Sequence, residues 1–126
     1  MKTVMAVALG GAFGSVARYG VVAWAGDRLG VDFPWGTLIV NFVGSFAIGV
    51  LAEAMGMVWS PSPEIRAFLI TGILGGFTTF SAFSLDTFVL IERGAWIPGL
   101  CYVLASLLLG LGGLVAGLRL VRLVAG

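Results

Sequence analysis

Long apolar runs in this chain are interrupted by a few polar side chains: Arg18, Asn41, Glu53, Asp86, Tyr102, Ser106 and the hydroxyls of GILGGFTTFSAFS, Gly72–Ser84. Their chemistry is hydrogen-bond donation rather than bond making. The chain has no histidine, the side chain most used as a base near neutral pH and as a metal ligand. Cys101 is the single cysteine. A His-containing triad, an internal disulfide and a thiolate metal cluster are therefore excluded, and zinc chemistry is not expected. The glycines of GILGGFTTF have no following lysine and no soluble strand before them, so they do not form a phosphate loop. Asn41, well inside an apolar run, must find partners for its amide; its two N–H donors can bind an anion or fix a neighbouring helix. Phe80 and Phe83, three apart, share a helix face. They are either ordinary core or, through their positive ring edges, stations for a small anion. Tyr102 and Ser106 are four apart and place two hydroxyl donors on one face, a turn from each other. Arg18 is either functional or an electrostatic anchor that snorkels. Glu53 is either functional or simply reaches the interface, and Asp86 either serves the site by capping or orienting the Phe/Ser segment or has no site role.

The elements that must position these groups are membrane helices. Of 126 residues, 60% are hydrophobic and 10% charged, with a formal net charge of +1 and a mean hydropathy of +1.11. Soluble domains carry roughly 25% charged residues. This chain lacks the polar material to cover a water-facing surface and the positive field to hold a nucleic acid. Its solvent is lipid. The expectation is an all-α integral membrane protein, one membrane domain over residues 1–126, with spans at about 4–25, 36–58, 66–91 and 96–121. Gly26-Asp27-Arg28, the two prolines of Ser60–Glu64 and Glu92-Arg93-Gly94 separate the runs. The first run is longer than a signal-peptide core and holds a glycine pair and an arginine, so it is expected to be retained. Trp24, Trp35, Trp59 and Trp96 fall near span ends, where indole rings prefer the interface.

The third span is the unusual one. Gly75-Gly76 followed by Thr78, Thr79 and Ser81 makes a poor continuous helix. It is expected to break near its centre, at about residues 75–80, the alternative being a continuous helix packed closely through its glycines. Broken membrane helices commonly serve ion sites, because the freed backbone groups need protein, water or an ion. The chain has 20 glycines, where usage of roughly 7% gives about nine. The pairs Gly10/Gly14, Gly72/Gly76, Ser106/Gly110 and Gly113/Gly117 have the small-xxx-small spacing that lets helix backbones approach. Four spans are few for enclosing a pathway, which points to an oligomer with the pathway at or near an interface. Lys2, Arg66, Arg119 and Arg122 on the termini side against Arg28 and Arg93 on the other give a weak orientation bias, so either insertion is open.

The segments GGAFGSVARYG (Gly10–Gly20), WGTLIVNFVGSF (Trp35–Phe46) and GILGGFTTFSAFSLD (Gly72–Asp86), in four spans of about this length, resemble the small fluoride channel family (CrcB/Fluc) over essentially the whole chain. The resemblance implies a passive, selective fluoride channel of the cell inner membrane, an antiparallel homodimer with two pores that exports fluoride, and no enzymatic activity. It implies pore-lining roles for Asn41, Phe80, Phe83, Tyr102 and Ser106, with Thr79 and Ser81 as further hydroxyl contributors. It places Arg18 near the pore entrance and implies a structural sodium ion at the dimer axis, held by the backbone carbonyls of Gly75 and Thr78. The chain departs from the family pattern at Asp86, where glutamate is common, at Ala82, where threonine or serine is frequent, and at Gly110, where a serine would continue the polar track of the last span. Two other classes compete. A proton-coupled multidrug exporter wants a carboxylate in the first span, which holds Arg18 and no Asp or Glu. A packing protein accounts for the glycines but not for Asn41 beside a hydroxyl-aromatic segment.

Overall fold

Each apolar run becomes a helix, and the third is divided. The computed structural model describes residues 1–126. Helix α1 spans Lys2–Leu29 and α2 spans Trp35–Met57. The third run starts as α3 (Pro63–Arg66), continues through a π-helical segment (Ala67–Leu74) into α4 (Gly75–Phe77), and resumes after two non-helical residues as α5 (Phe80–Glu92). Helix α6 spans Trp96–Ala125. With Pro63–Glu92 taken as one interrupted span, four helical units are long and apolar enough to cross a membrane, which needs about 20 apolar residues. The fold is thus an all-α bundle of four spanning helices, the third bent near its middle.

Local chemistry explains the boundaries. Ser62 Oγ accepts the Ile65 N–H at 3.3 Å, and Pro63 takes the first helical position, where a missing N–H costs nothing. Gly30 (φ 88°) and Gly94 (φ 78°) supply the left-handed residues that let the chain leave α1 and α5. Arg93 Nη2 donates to the Asp32 carbonyl at 2.6 Å, tying the α1–α2 loop to the α5–α6 turn on one side of the bundle. On the other side, Arg122 Nε and Glu53 Oε1 pair at 2.9 Å and join the ends of α6 and α2.

The helices pair by backbone approach. Lipid gives no hydrophobic drive for helix association, so close van der Waals contact must supply it. The stripe Gly10/Gly14 of α1 lies on Gly72/Gly76 of the third span: a Cβ at Gly10 would sit 2.9 Å from Gly72 Cα, and one at Gly76 would sit 2.8 Å from the Gly11 carbonyl oxygen. A Cβ at Gly14 would overlap the Ile73 carbonyl. The third span therefore both breaks and packs through its glycines. Helices α2 and α6 run side by side in the same direction, Gly49 against the Leu114 carbonyl and Gly117 against that of Phe46. Leu38, Leu90 and fully buried Tyr102 make a small core, with Phe33 and Phe83 packed on it.

Gly14→Ala and Gly49→Ala should each lower stability by about 1–3 kcal/mol, the usual cost of overpacking. Gly20→Ala, with open space around it, should leave stability unchanged. Thermal unfolding of the detergent-solubilised protein, with size-exclusion profiles, checks the contrast.

Candidate functional site

The site is built around the interruption of the third span. Thr78 (φ −90°, ψ 160°) and Thr79 (φ −154°, ψ 125°) are both extended, so backbone groups leave the helical ladder at membrane depth, where each must be satisfied internally. Thr78 N–H still donates to the Leu74 carbonyl at 3.0 Å, and Thr78 Oγ1 donates to the same oxygen at 2.9 Å. Thr79 has no helical partner. Its N–H donates to Asn41 Oδ1 at 2.8 Å, and its carbonyl accepts from Asn41 Nδ2 at 2.9 Å. The Asn41 carboxamide thus satisfies both backbone groups of one extended residue, as a neighbouring strand would. A carboxamide carries two N–H donors, so one remains after this pairing.

The two helix ends at the break are capped as well. Thr79 Oγ1 accepts the Ala82 N–H at 3.1 Å and opens α5. Arg18 Nε donates to the Gly76 carbonyl at 3.0 Å, placing a guanidinium at the negative end of the preceding helix. Beside this capped set lie the carbonyls of Gly75 and Thr78. Thr78 N–H is used by Leu74 and Thr79 N–H by Asn41, so neither reaches the Gly75 carbonyl, and no backbone or side-chain group donates to that of Thr78.

Beside the break lies a cavity of about 260 Å³, lined by Asn41, Ser45, Thr78, Thr79, Phe80, Phe83, Ser106, Leu107 and Gly110. None of these side chains is charged. Phe80 and Phe83 share a face as their spacing requires, ring centroids 5.7 Å apart, and Phe83 continues to Tyr102 at 5.3 Å. Tyr102 meets Phe33 edge-on at 5.5 Å. Ser106 Oγ is buried and has no hydrogen-bond partner.

The fold brings Asn41, Thr78, Thr79, Phe80, Phe83 and Ser106 to one cavity. Tyr102 joins them through its ring, while its hydroxyl donates to Asp86 Oδ2 at 3.1 Å. Asp86 lies past the break and lines a second cavity, of about 190 Å³, with Thr37 and Phe33; its contact is the tyrosine rather than the broken backbone. Ser81 is exposed and off the cavity wall, its hydroxyl 3.3 Å from Thr79 Oγ1. Arg18 and the exposed Gly75 lie off that wall too. Sequence reasoning missed Ser45. The available signal was its position four residues after Asn41, which with Thr37 makes a polar stripe along one face of α2.

Asn41→Ala should cost about 1–3 kcal/mol, the usual penalty for an orphaned buried backbone group. Asn41→Asp should also destabilise, because it removes the donor to Thr79 and sets a carboxylate against a carbonyl oxygen. Denaturant unfolding in detergent, variant against parent, measures both.

The chain is similar in sequence to known proteins along nearly its whole length. The family described as CrcB-like protein, Camphor Resistance (CrcB), matches residues 5–118. The Fluoride-specific ion channel FluC of Rhodospirillum centenum is 57% identical over 122 residues, 97% of this chain and 97% of that protein. Those of Rhizobium meliloti and Nitrobacter winogradskyi are 53% and 50% identical, covering 97% and 96% of this chain and 98% and 96% of their own lengths. Spanning helices and likeness together make this a multi-pass plasma-membrane protein, a channel rather than an enzyme: the chain belongs to the CrcB/FluC fluoride channel family.

Proposed function

We propose that the chain is a passive, selective fluoride channel that releases fluoride from the cell across the inner membrane, with two pores in an antiparallel homodimer. The observation that carries this reading is the cavity beside the break, walled by hydroxyls, an amide and two phenylalanines and free of charged side chains. Fluoride is small, strongly hydrated and a strong hydrogen-bond acceptor. Entry requires donors that replace part of its water shell, and exit requires that none of them hold it too tightly. The free N–H of Asn41 and the unpartnered Ser106 hydroxyl are such donors. The edges of Phe80 and Phe83 add positive potential without a fixed cation to trap the ion. Thr79 and Ser81 supply hydroxyls near the break, and Tyr102, held by Asp86, fixes the far end of the ring series. Arg18, fixed on Gly76, adds positive potential near the entrance.

What one protomer leaves open supports a dimer. Phe80 is 79% exposed although it lines the cavity, and a second, inverted copy would complete that wall. Sodium fits the remaining donors. Carbonyls freed by an unwound membrane helix suit a hard cation, and those of Gly75 and Thr78 are among the ones that neither Thr78 N–H nor Thr79 N–H satisfies. Two carbonyls from each protomer would close a symmetric shell and fasten the two breaks to each other. Exporters driven by protons have no counterpart here, since α1 carries no carboxylate in its membrane interior.

Liposomes holding the purified protein, followed by fluoride and chloride electrodes in parallel, should release fluoride rapidly and retain chloride. Silence for both ions from verified folded dimers would overturn the proposal. Phe80→Ile and Phe83→Ile should slow fluoride release about tenfold or more while leaving assembly intact, the loss of a favourable contact of roughly 1.4 kcal/mol at the barrier; unchanged flux in both would remove the rings from the path. Replacing sodium by a larger alkali cation should lower activity, and full indifference would rule out the sodium site.

A further inference from the structure

We infer that Ser45 is a hydroxyl donor of the anion path, opened to it by the missing side chain at Gly110. The inference rests on the fluoride-channel reading above and extends it to a residue on α2. Along α6, Tyr102, Ser106 and Gly110 recur at four-residue spacing, so one face carries a hydroxyl, a hydroxyl and then bare backbone. Along α2, Asn41 and Ser45 have the same spacing, and Ser45 stands opposite the gap. A Cβ built at Gly110 would lie 3.9 Å from Ser45 Oγ and meet nothing else within 4 Å. Both residues line the cavity. Glycine at 110 is therefore not forced by helix packing, unlike Gly14 or Gly49, whose Cβ atoms would strike backbone. What glycine does here is leave the Ser45 hydroxyl uncovered.

The hydroxyl is also uncommitted. Hydroxyl side chains in membrane helices can donate to the carbonyl one turn back. Thr78 does so to Leu74 at 2.9 Å, Ser84 to Phe80 at 3.1 Å and Thr87 to Phe83 at 2.8 Å. Ser45 and Ser106, the two helical serines on the cavity wall, make no such bond, and Ser106 Oγ is buried without any partner. Two free hydroxyls on facing helices, one step apart along the cavity, form a continuation of the donor row that α6 alone would end at Ser106. A partly dehydrated anion moving past Ser106 would meet Ser45 next.

The test uses the full-length protein in liposomes with a fluoride electrode, and each variant is first verified by its size-exclusion profile. Ser45→Ala should reduce fluoride efflux about tenfold, the effect of one hydrogen bond to an ion, while Ser45→Thr keeps the hydroxyl and most of the flux. Gly110→Ala, which sets a methyl against Ser45 Oγ, should reduce efflux to a similar degree. The decisive variant is the double substitution Ser45→Ala with Gly110→Ser, which moves the hydroxyl from α2 to α6 and should restore flux relative to Ser45→Ala alone. Parental flux in Ser45→Ala, or no recovery in the double variant, overturns the inference while the unmodified protein's own fluoride efflux leaves the channel reading standing. Absence of fluoride efflux from the unmodified protein overturns both.

Discussion

Two hydrogen bonds between the Asn41 side chain and the backbone of Thr79 are the constraint on which the rest of the structure depends. A helix interrupted inside hydrocarbon is costly unless each freed N–H and C=O finds a partner. An asparagine on the adjacent helix satisfies both polar groups of one residue at once, and no hydroxyl or single charge has the same geometry. With Thr79 held extended, α5 starts afresh, its first turn capped by the Thr79 hydroxyl. That restart aims Phe80 and Phe83 at the cavity. It also leaves the carbonyls of Gly75 and Thr78 free of the helical ladder. The interruption, the aromatic series and the proposed cation donors are consequences of one pairing across 38 residues of sequence.

The pairing can form only because the helices come close. On one side the glycine stripes of α1 and the third span meet backbone to backbone, and on the other α2 and α6 do the same. A Cβ at Gly44 would overlap the Thr78 side chain, so even the seat of the break is shaped by an absent methyl. Dense glycine packing substitutes here for the hydrophobic core of a soluble protein. It concentrates contact at helix crossings and leaves the polar stripe of α2 facing that of α6.

Fixed charges are kept off the cavity wall by being used elsewhere. Arg18 is bound to the Gly76 carbonyl behind the break, Glu53 and Arg122 pair at one end of the bundle, and Arg93 holds the Asp32 carbonyl at the other. Asp86, nearest to the aromatic series, accepts from Tyr102. What remains on the wall is neutral and rich in donors. Such a surface suits an anion that must be both admitted and released, since a cation there would bind too tightly and a carboxylate would repel.

Hydropathy, span punctuation and tryptophan placement determined that this is a four-helix membrane protein, because lipid as solvent imposes a length and a composition that a sequence must display openly. The weak helix of GILGGFTTF, the glycine spacing and the three-residue step from Phe80 to Phe83 were equally legible, being local properties of the chain. That Asn41 holds the backbone of Thr79 was not, since its partner lies on another span. The same holds for Asp86, whose sequence position beside the Phe/Ser segment pointed to the break, whereas the approach of α5 to α6 gives it to Tyr102. The place of Ser45 was not legible either. Only the crossing of α2 over α6 turns it towards the cavity opposite Gly110. Sequence periodicity determined which residues share a helix face; the register in which those faces meet was decided by tertiary packing, since it depends on backbone approach between segments far apart in the chain.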